Sequence, residues 1–255
     1  ELFYLFGLGS FFEYSDGNTY ASHFFAPTKE EGVTSNPTNL LGTMYLGGFV
    51  VPFIVTCLLT VLTLTMERFI ALGKAAGKGN QTKFVAEVKK ALNEKNVAKA
   101  EELCKKQKGT VGAIVYATLA KYKEMEANTI LPKEQKLAVI QEQLAEATAL
   151  EMPSLQQNLP ILATMTTLGT LLGLFGTVVG MIKSFQALGN AGAPDSAELS
   201  KGISEALVNT ASGILTAVCA LIAYNFFTNK IDNLTYAVDE LGFAIVNAYA
   251  ANHAN

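Results

Sequence analysis

The chain of 255 residues divides into long apolar stretches without charged residues and a middle part rich in charges. A helix that crosses the hydrocarbon core of a membrane needs about 20 mostly apolar residues, because each residue rises about 1.5 Å. The pattern therefore predicts three transmembrane helices; buried helices of a large soluble core are the alternative, although runs of this length exceed ordinary core helices. The apolar parts of the three charge-free stretches are 44–66, 161–182 and 206–229.

Between the first two apolar stretches, the pattern is typical of amphipathic helices that pack in water. Apolar residues recur there at helical spacing, and no strand pattern of useful length occurs. Turns between helices or helix starts are indicated at Asn93, Asn96, Gly109 and Pro132. Pro153 and Pro160 are expected to bend the helix that leads into the second span rather than to end it.

The basic residues predict an orientation. Of the 19 Lys and Arg residues, 15 lie between Arg68 and Lys136. The positive-inside rule places this segment in the cytoplasm, which puts the N-terminus outside and the C-terminus inside. The predicted fold class is an all-α polytopic membrane protein with three transmembrane helices and a large cytoplasmic helical domain. The expected boundaries are 1–43 (periplasmic segment), 44–66 (first span), 67–158 (cytoplasmic domain), 159–186 (second span), 187–200 (periplasmic loop), 201–229 (third span) and 230–255 (cytoplasmic C-terminal helix).

The first twelve residues, ELFYLFGLGSFF, are apolar but too short to span a membrane. No basic residue precedes Lys29, so the basic region of a signal peptide is missing. We expect an interfacial helix or the remnant of a longer segment, in a chain that has been processed or trimmed.

Composition narrows the class of protein further. Hydrophobic residues make up 50% of the chain and charged residues 16%, whereas about 25% charged residues is typical of soluble domains. These values argue against an ordinary soluble enzyme, and the net charge of −3 gives no case for nucleic-acid binding. Cys57, Cys104 and Cys219 share no ligand spacing with each other or with the two histidines, so no disulfide, metal site or cofactor is predicted. The chain also contains no Walker A motif.

Small and hydroxyl residues mark the second span. Two small-xxx-small patterns predict a helix that packs closely against another helix, and a further glycine lies in the third span. The glycines expected to serve helix packing are Gly169, Gly173, Gly176, Gly180 and Gly213. Thr166, Thr170 and Thr177 share one face of the second span. They are candidates for a polar path; the alternative is that each hydroxyl bonds back to its own helix.

The third span opens with a carboxylate. Glu205, Asn209, Ser212 and Thr216 project on one face, whereas Thr210 lies about 140° from Glu205 on an ideal helix. Carboxylates are rare in transmembrane helices and usually face a protein interior or a water path. Glu205 is therefore a candidate ion-path residue. The alternative is an interfacial carboxylate near the helix N-terminus, paired with Lys201 one turn earlier.

The stretches LLGLFGTVVGMIKSF (171–185) and GISEALVNTASGILTAVCALIAYNFF (202–227) resemble the ExbB/TolQ/MotA family of ion-driven motor stators. The resemblance is clearest over 155–232 and is closest to ExbB and TolQ, since MotA-like members have four spans. It implies that Thr177, Glu205 and Thr210 are pore residues, and that Thr166, Thr170, Asn209 and Ser212 are further pore-facing positions. The family often has Ala-Pro where this chain has Gly169-Thr170, so the helix is expected to bend differently there.

The resemblance also implies a function. Family members form a homopentamer in the bacterial inner membrane around two copies of a single-span partner, ExbD or TolR, which carries the proton-binding Asp. The expected function is a proton-channel stator, not an enzyme, that uses the proton motive force to energise TonB-dependent outer-membrane transport. The alternative is the TolQ-like role in cell-envelope integrity. A hypothesis of another class is a membrane scaffold that conducts no ions, for which the polar stripe around Glu205 would serve no purpose.

Overall fold

The structure is a computed structural model that describes residues 48–190 and 196–253. The predicted N-terminal interfacial helix lies outside these residues. The described residues form helices and short turns and contain no strand. A 3₁₀ turn at Gly48–Val50 is followed by α1 (Val51–Ala75), α2 (Gln81–Asn93), α3 (Val97–Gln107), α4 (Thr110–Ala127), α5 (Lys133–Gln156), α6 (Leu159–Asn190) and α7 (Ser196–Asn252).

Three helical stretches are long and apolar enough to cross a membrane: Gly48–Ala75, Lys133–Gly189 and Ser196–Asn252. This confirms the predicted all-helical membrane protein with three spans. Between 22% and 33% of the most apolar part of each stretch is buried within the chain. Large apolar side chains on these helices therefore remain exposed, as is expected of helices that contact lipid. The last stretch is a single helix, α7, which continues without a break through residues 229 and 230.

The prolines before the second span act differently from the prediction. Pro153 lies inside α5, which continues to Gln156, and α6 then begins at Leu159. Asn158 in the intervening turn has a φ of +65°, a left-handed conformation that asparagine tolerates. Pro160 is the second residue of α6, where its missing N–H group costs no helical hydrogen bond. The expectation of one bent helix is therefore wrong, because a turn separates two helices.

The described chain forms two compact units. The first, here called the membrane unit, contains residues 48–64, 161–190 and 196–223; the second unit contains residues 65–160 and 224–253. In the second unit, α2 packs on α3, α3 on α4 and α4 on α5. Large apolar side chains fill its core. The fully buried ones include Ile114, Leu119, Tyr122, Ile140, Leu234, Leu241, Ile245 and Tyr249.

The predicted turns in this unit are confirmed. α2 ends at Asn93, and Asn96 caps α3 by accepting a hydrogen bond from the Lys99 backbone N–H at 3.0 Å. The connection between α3 and α4 ends at Gly109, which has a φ of +150°, and α4 begins at Thr110. A side chain at Gly109 would lie 2.6 Å from the carbonyl oxygen of Ala75, so both backbone conformation and space require glycine there.

A buried cation in the same unit is satisfied by a helix end. Arg68 is only 3% exposed, and its guanidinium donates to the carbonyl oxygens of Ser154 and Leu155 at 3.4 and 3.5 Å. These carbonyls belong to the last turn of α5, where the helix itself supplies no partner. The negative end of the helix dipole also favours a cation there. Arg68 further pairs with Glu67.

Candidate ion-pathway site

In the membrane unit, α6 and the first half of α7 run antiparallel and meet at their smallest residues. A Cβ added at Gly213 would lie 2.7 Å from the Cα of Gly173. One added at Gly180 would lie 2.8 Å from the carbonyl oxygen of Gly202. The two backbones are therefore in direct contact, the arrangement that small-xxx-small patterns permit in a membrane. We call this contact the glycine seam; its glycines are Gly169, Gly173, Gly176, Gly180, Gly202 and Gly213.

Glu205 lies beside the glycine seam and is only 6% exposed. Its Oε1 lies 2.6 Å from the Nζ of Lys183 on α6. On another side the carboxylate lies against Gly48, where any Cβ would overlap it. Gly48 also has a φ of +70°, so glycine is required at this position for two separate reasons. The carboxylate is thus held between a cation on α6 and the turn that precedes α1.

Lys183 is the residue that sequence reasoning missed. The alternative derived from the sequence paired Glu205 with Lys201, but Lys183 is its partner in the described structure. The signal was present in the sequence, because Lys183 is the only charged residue between positions 152 and 194. A single charge at the end of an apolar span, followed by a short loop and a span that opens with a carboxylate, indicates a pair across the hairpin.

Asn209 lies one turn after Glu205, inside the glycine seam. Its side chain is fully buried, and a Cβ at Gly176 would lie 2.6 Å from its Cγ. Within the described residues, neither polar atom of its amide has a hydrogen-bond partner. A buried polar group without a partner costs about 1–3 kcal/mol. The structure therefore places Asn209 against α6 of its own chain.

The threonines of α6 hydrogen-bond within their own helix. The Thr166 hydroxyl donates to the carbonyl oxygen of Ala163 at 2.6 Å, and the Thr177 hydroxyl donates to that of Leu174 at 2.6 Å. Thr170 donates to the carbonyl oxygen of Thr166 at 3.1 Å. This is the back-bonded geometry that the sequence left open as an alternative. Each hydroxyl oxygen still has lone pairs that can accept a hydrogen bond.

On α7 the hydroxyls behave in two ways. The Thr210 hydroxyl lies between the helices, 3.4 Å from the carbonyl oxygen of Gly173 and 3.4 Å from that of Ala206. Thr216 is fully buried and donates to the carbonyl oxygen of Ser212 at 2.9 Å. Thr210 therefore lies at the contact between α6 and α7, one helical turn from the level of Thr177 on α6.

The chemistry of this arrangement suits ion transfer better than covalent catalysis. One carboxylate and one ammonium group face each other beside the glycine seam. A carboxylate can take up and release a proton, and nearby amide and hydroxyl groups can hydrogen-bond to water without adding charge. Polar groups of this kind inside spanning helices usually mark an ion pathway.

Comparison with known proteins also indicates a protein that transfers ions. The family model of the MotA/TolQ/ExbB proton channel family matches residues 106–240, more than half of the chain. The chain is 30% identical over 149 residues to the biopolymer transport protein ExbB of Pseudomonas putida, which covers 58% of this chain and 43% of that protein. It is 40% identical over 88 residues to the Tol-Pal system protein TolQ of Pseudomonas aeruginosa, which covers 34% of this chain and 38% of that protein.

A third relative has a similar identity and coverage. The biopolymer transport protein ExbB of Neisseria gonorrhoeae is 31% identical over 123 residues, 47% of this chain and 54% of that protein. The chain thus spans between 38% and 54% of the length of these curated relatives. Members of the matched family are proton-channel and transport subunits rather than enzymes. With the family model matched over residues 106–240 and the spanning helices present, the chain belongs to the MotA/TolQ/ExbB proton channel family.

Proposed function

We propose that this chain is the proton-conducting subunit of an ExbB/TolQ-type motor in the bacterial inner membrane. It uses the proton motive force together with a single-span partner of the ExbD or TolR kind. The observation that carries the proposal is Glu205, a carboxylate that is 6% exposed and lies in a helix apolar enough to cross a membrane. Burying a charge there costs free energy, which argues against a carboxylate that only stabilises the fold.

The proposed path uses Glu205 together with the hydroxyls of Thr177 and Thr210. Hydroxyl groups donate and accept hydrogen bonds without fixed charge, so they can support a transient file of water in a low-dielectric surrounding. Further polar positions for the same path are Thr166, Thr170, Asn209 and Ser212. The back-bonded threonines supply acceptor oxygens, and Thr210 supplies a hydroxyl at the contact of the two helices.

The proposed assembly is a homopentamer with its N-terminus in the periplasm and its C-terminus in the cytoplasm. The apolar residues exposed on α6 recur along one face, as expected for a helix that lipid or further chains cover. They include Leu171, Phe175, Val178, Ile182 and Phe185. The partner that carries the proton-binding Asp would stand inside the ring of subunits. Co-purification followed by mass measurement of the complex tests this arrangement; a monomer without a partner contradicts it.

The ExbB-like and TolQ-like roles share this machinery. The match to ExbB of P. putida covers more of the chain, whereas the match to TolQ of P. aeruginosa is higher in identity. Expression in strains that lack either ExbB or TolQ separates the roles. Restored siderophore or vitamin uptake supports TonB-dependent transport, and restored resistance to detergents supports the envelope-integrity role.

Substitution of the path residues tests conduction against the scaffold hypothesis. Glu205→Ala and Thr210→Ala should abolish the activity that the wild type restores, while assembly with the partner remains intact. Ile222→Ala is the matched control, because this side chain is 65% exposed on α7 and lies outside the proposed path. A scaffold that conducts no ions would tolerate both path variants, so normal activity in them would overturn the proposal.

A further inference from the structure

The ion pair at the glycine seam joins two groups in unlike surroundings. The Glu205 side chain is 7% exposed, whereas the Lys183 side chain is 48% exposed. The carboxylate is therefore fixed by its surroundings, and the lysine reaches it from the side on a flexible four-carbon stem. Lys183 Nζ also donates the hydrogen bond that Glu205 Oε1 accepts, at 2.6 Å.

Among the described residues, no other element brings a second cation to Glu205. The turn before α1 contributes Gly48, which has no side chain. On α7, Lys201 lies one turn earlier and is exposed, and in the described structure it forms no ion pair with Glu205. Within the described residues, Glu205 thus has one cationic partner, which is carried by a different helix. This makes the pair a tie between α6 and α7 that exists only while the carboxylate is ionised.

We propose that Lys183 is a positioning residue that holds the ionised Glu205 carboxylate and ties α6 to α7 until a proton reaches that carboxylate. The inference rests on the proposed function. A hydronium ion transfers a proton to the carboxylate: one hydronium O–H bond breaks and leaves water, and an O–H bond forms on the carboxylate. The carboxyl group becomes neutral, while Lys183 keeps its positive charge. The electrostatic attraction is then lost and the tie between the two helices is released. When the proton leaves toward the other side, the carboxylate recovers its charge and the pair forms again.

The physical reason for a counter-ion is the cost of an unpaired charge. A carboxylate buried in an apolar surrounding without its cation is strongly destabilised in its ionised form. Replacing Lys183 would leave that carboxylate without the one cation that faces it among the described residues. A lysine that only stabilised the fold would be replaceable by any arrangement that keeps an ion pair across the helices.

The test measures proton flux into liposomes that contain the full chain co-assembled with its single-span partner, with a pH-sensitive dye inside. Lys183→Met removes the charge with little change in length, and it should lower flux by about tenfold or more. Lys183→Arg keeps the charge and should hold flux within about threefold of the wild type. Lys201→Met is the matched control on α7 and should leave flux unchanged. Native mass measurement checks that each complex has assembled.

A charge swap separates the need for an ion pair from the need for a carboxylate at position 205. The double variant Lys183→Glu with Glu205→Lys keeps the ion pair but moves the carboxylate to α6. We expect it to assemble and to conduct no protons, because the carboxylate has left its place on α7. Wild-type flux in the swapped variant would contradict the role of Glu205 in the proposed function, whereas flux in Lys183→Met within about twofold of the wild type would overturn the role assigned to Lys183.

Two further outcomes are decisive. If Lys183→Met fails to assemble, the Lys183→Arg complex decides the matter: conduction supports the counter-ion role, and an assembled complex without flux overturns it. If the wild-type complex itself conducts no protons, the proposed function fails, which is distinct from failure of the role assigned to Lys183.

Discussion

The two units of this chain are built on opposite principles. In the membrane unit, α6 and α7 touch through their backbones, and glycines such as Gly173 and Gly213 leave no room for a side chain. In the second unit, large side chains such as Leu119 and Tyr122 fill the space between helices. Water drives large apolar groups together in one unit, whereas lipid gives no such drive and close packing must replace it. The membrane unit is therefore sensitive to added volume and the other unit to lost volume.

The buried charges of the two units also differ in their partners. Arg68 pairs with Glu67, its neighbour in the chain, and also donates to carbonyl groups at the end of α5, which do not change with protonation. Glu205 is satisfied by Lys183, and that attraction disappears when the carboxylate takes up a proton. A cation held by a helix end suits a permanent structural role. A carboxylate held by a side chain on another helix suits a site that changes state.

The largest expected effect comes from adding volume to the glycine seam. Gly213→Val would place methyl groups where a Cβ alone already lies 2.7 Å from the Cα of Gly173, so α6 and α7 would be forced apart. We expect loss of folded protein, measured as the amount of monodisperse material in size-exclusion chromatography. Gly189→Val is the control, since a Cβ there meets no heavy atom within 4 Å. Equal yields of the two variants would contradict the close packing of the seam.

A smaller effect is expected from removing volume in the second unit. Leu119 is 0% exposed, and Leu119→Ala should lower the free energy of unfolding by about 2–5 kcal/mol through the cavity that it leaves. Thermal unfolding of the detergent-solubilised chain, followed by circular dichroism, measures the change. Ile130→Ala should leave the transition in place because Ile130 is 89% exposed. A shift of the same size in both variants would show that the core has been assigned wrongly.

The smallest effects are expected from the replacement of two asparagines, Asn252 and Asn209. Asn252→Ala removes the hydrogen bond that its amide donates to the Tyr122 hydroxyl at 3.1 Å, and should cost about 0.5–1.5 kcal/mol. Asn209→Ala removes an amide that is buried without a partner among the described residues, so stability should stay the same or rise. Unfolding temperatures of the two variants, recorded side by side, test this order. The opposite order would mean that Asn209 has a stabilising partner in the folded protein.

Much of the fold follows from local features of the sequence. Three charge-free stretches of spanning length predict the three spans, and Asn96 and Gly109 mark turns because of their capping and backbone preferences. The break before the second span was not predictable from the prolines alone. It depends on Asn158 adopting a left-handed conformation, which tertiary packing selects from several options for that residue.

The candidate site was predictable only in part, for a similar reason. Glu205 is conspicuous because a carboxylate at the start of an apolar span is rare. Its partner lies 22 residues away across the hairpin, and the register between α6 and α7 decides which lysine reaches it. Lys201 is nearer in sequence, but only the packing of glycine on glycine brings Lys183 to the carboxylate. The burial of Asn209 against Gly176 depends on the same register.

The central claim is that protons cross the membrane by way of Glu205. The most direct measurement is proton flux into liposomes that hold the complex of this chain with its single-span partner, under an imposed pH gradient, for the wild type and for Glu205→Gln. Glutamine keeps the shape of the side chain but carries no titratable proton. The account predicts flux in the wild type and background flux in the variant, with both complexes assembled to the same mass. Equal flux in both would contradict it.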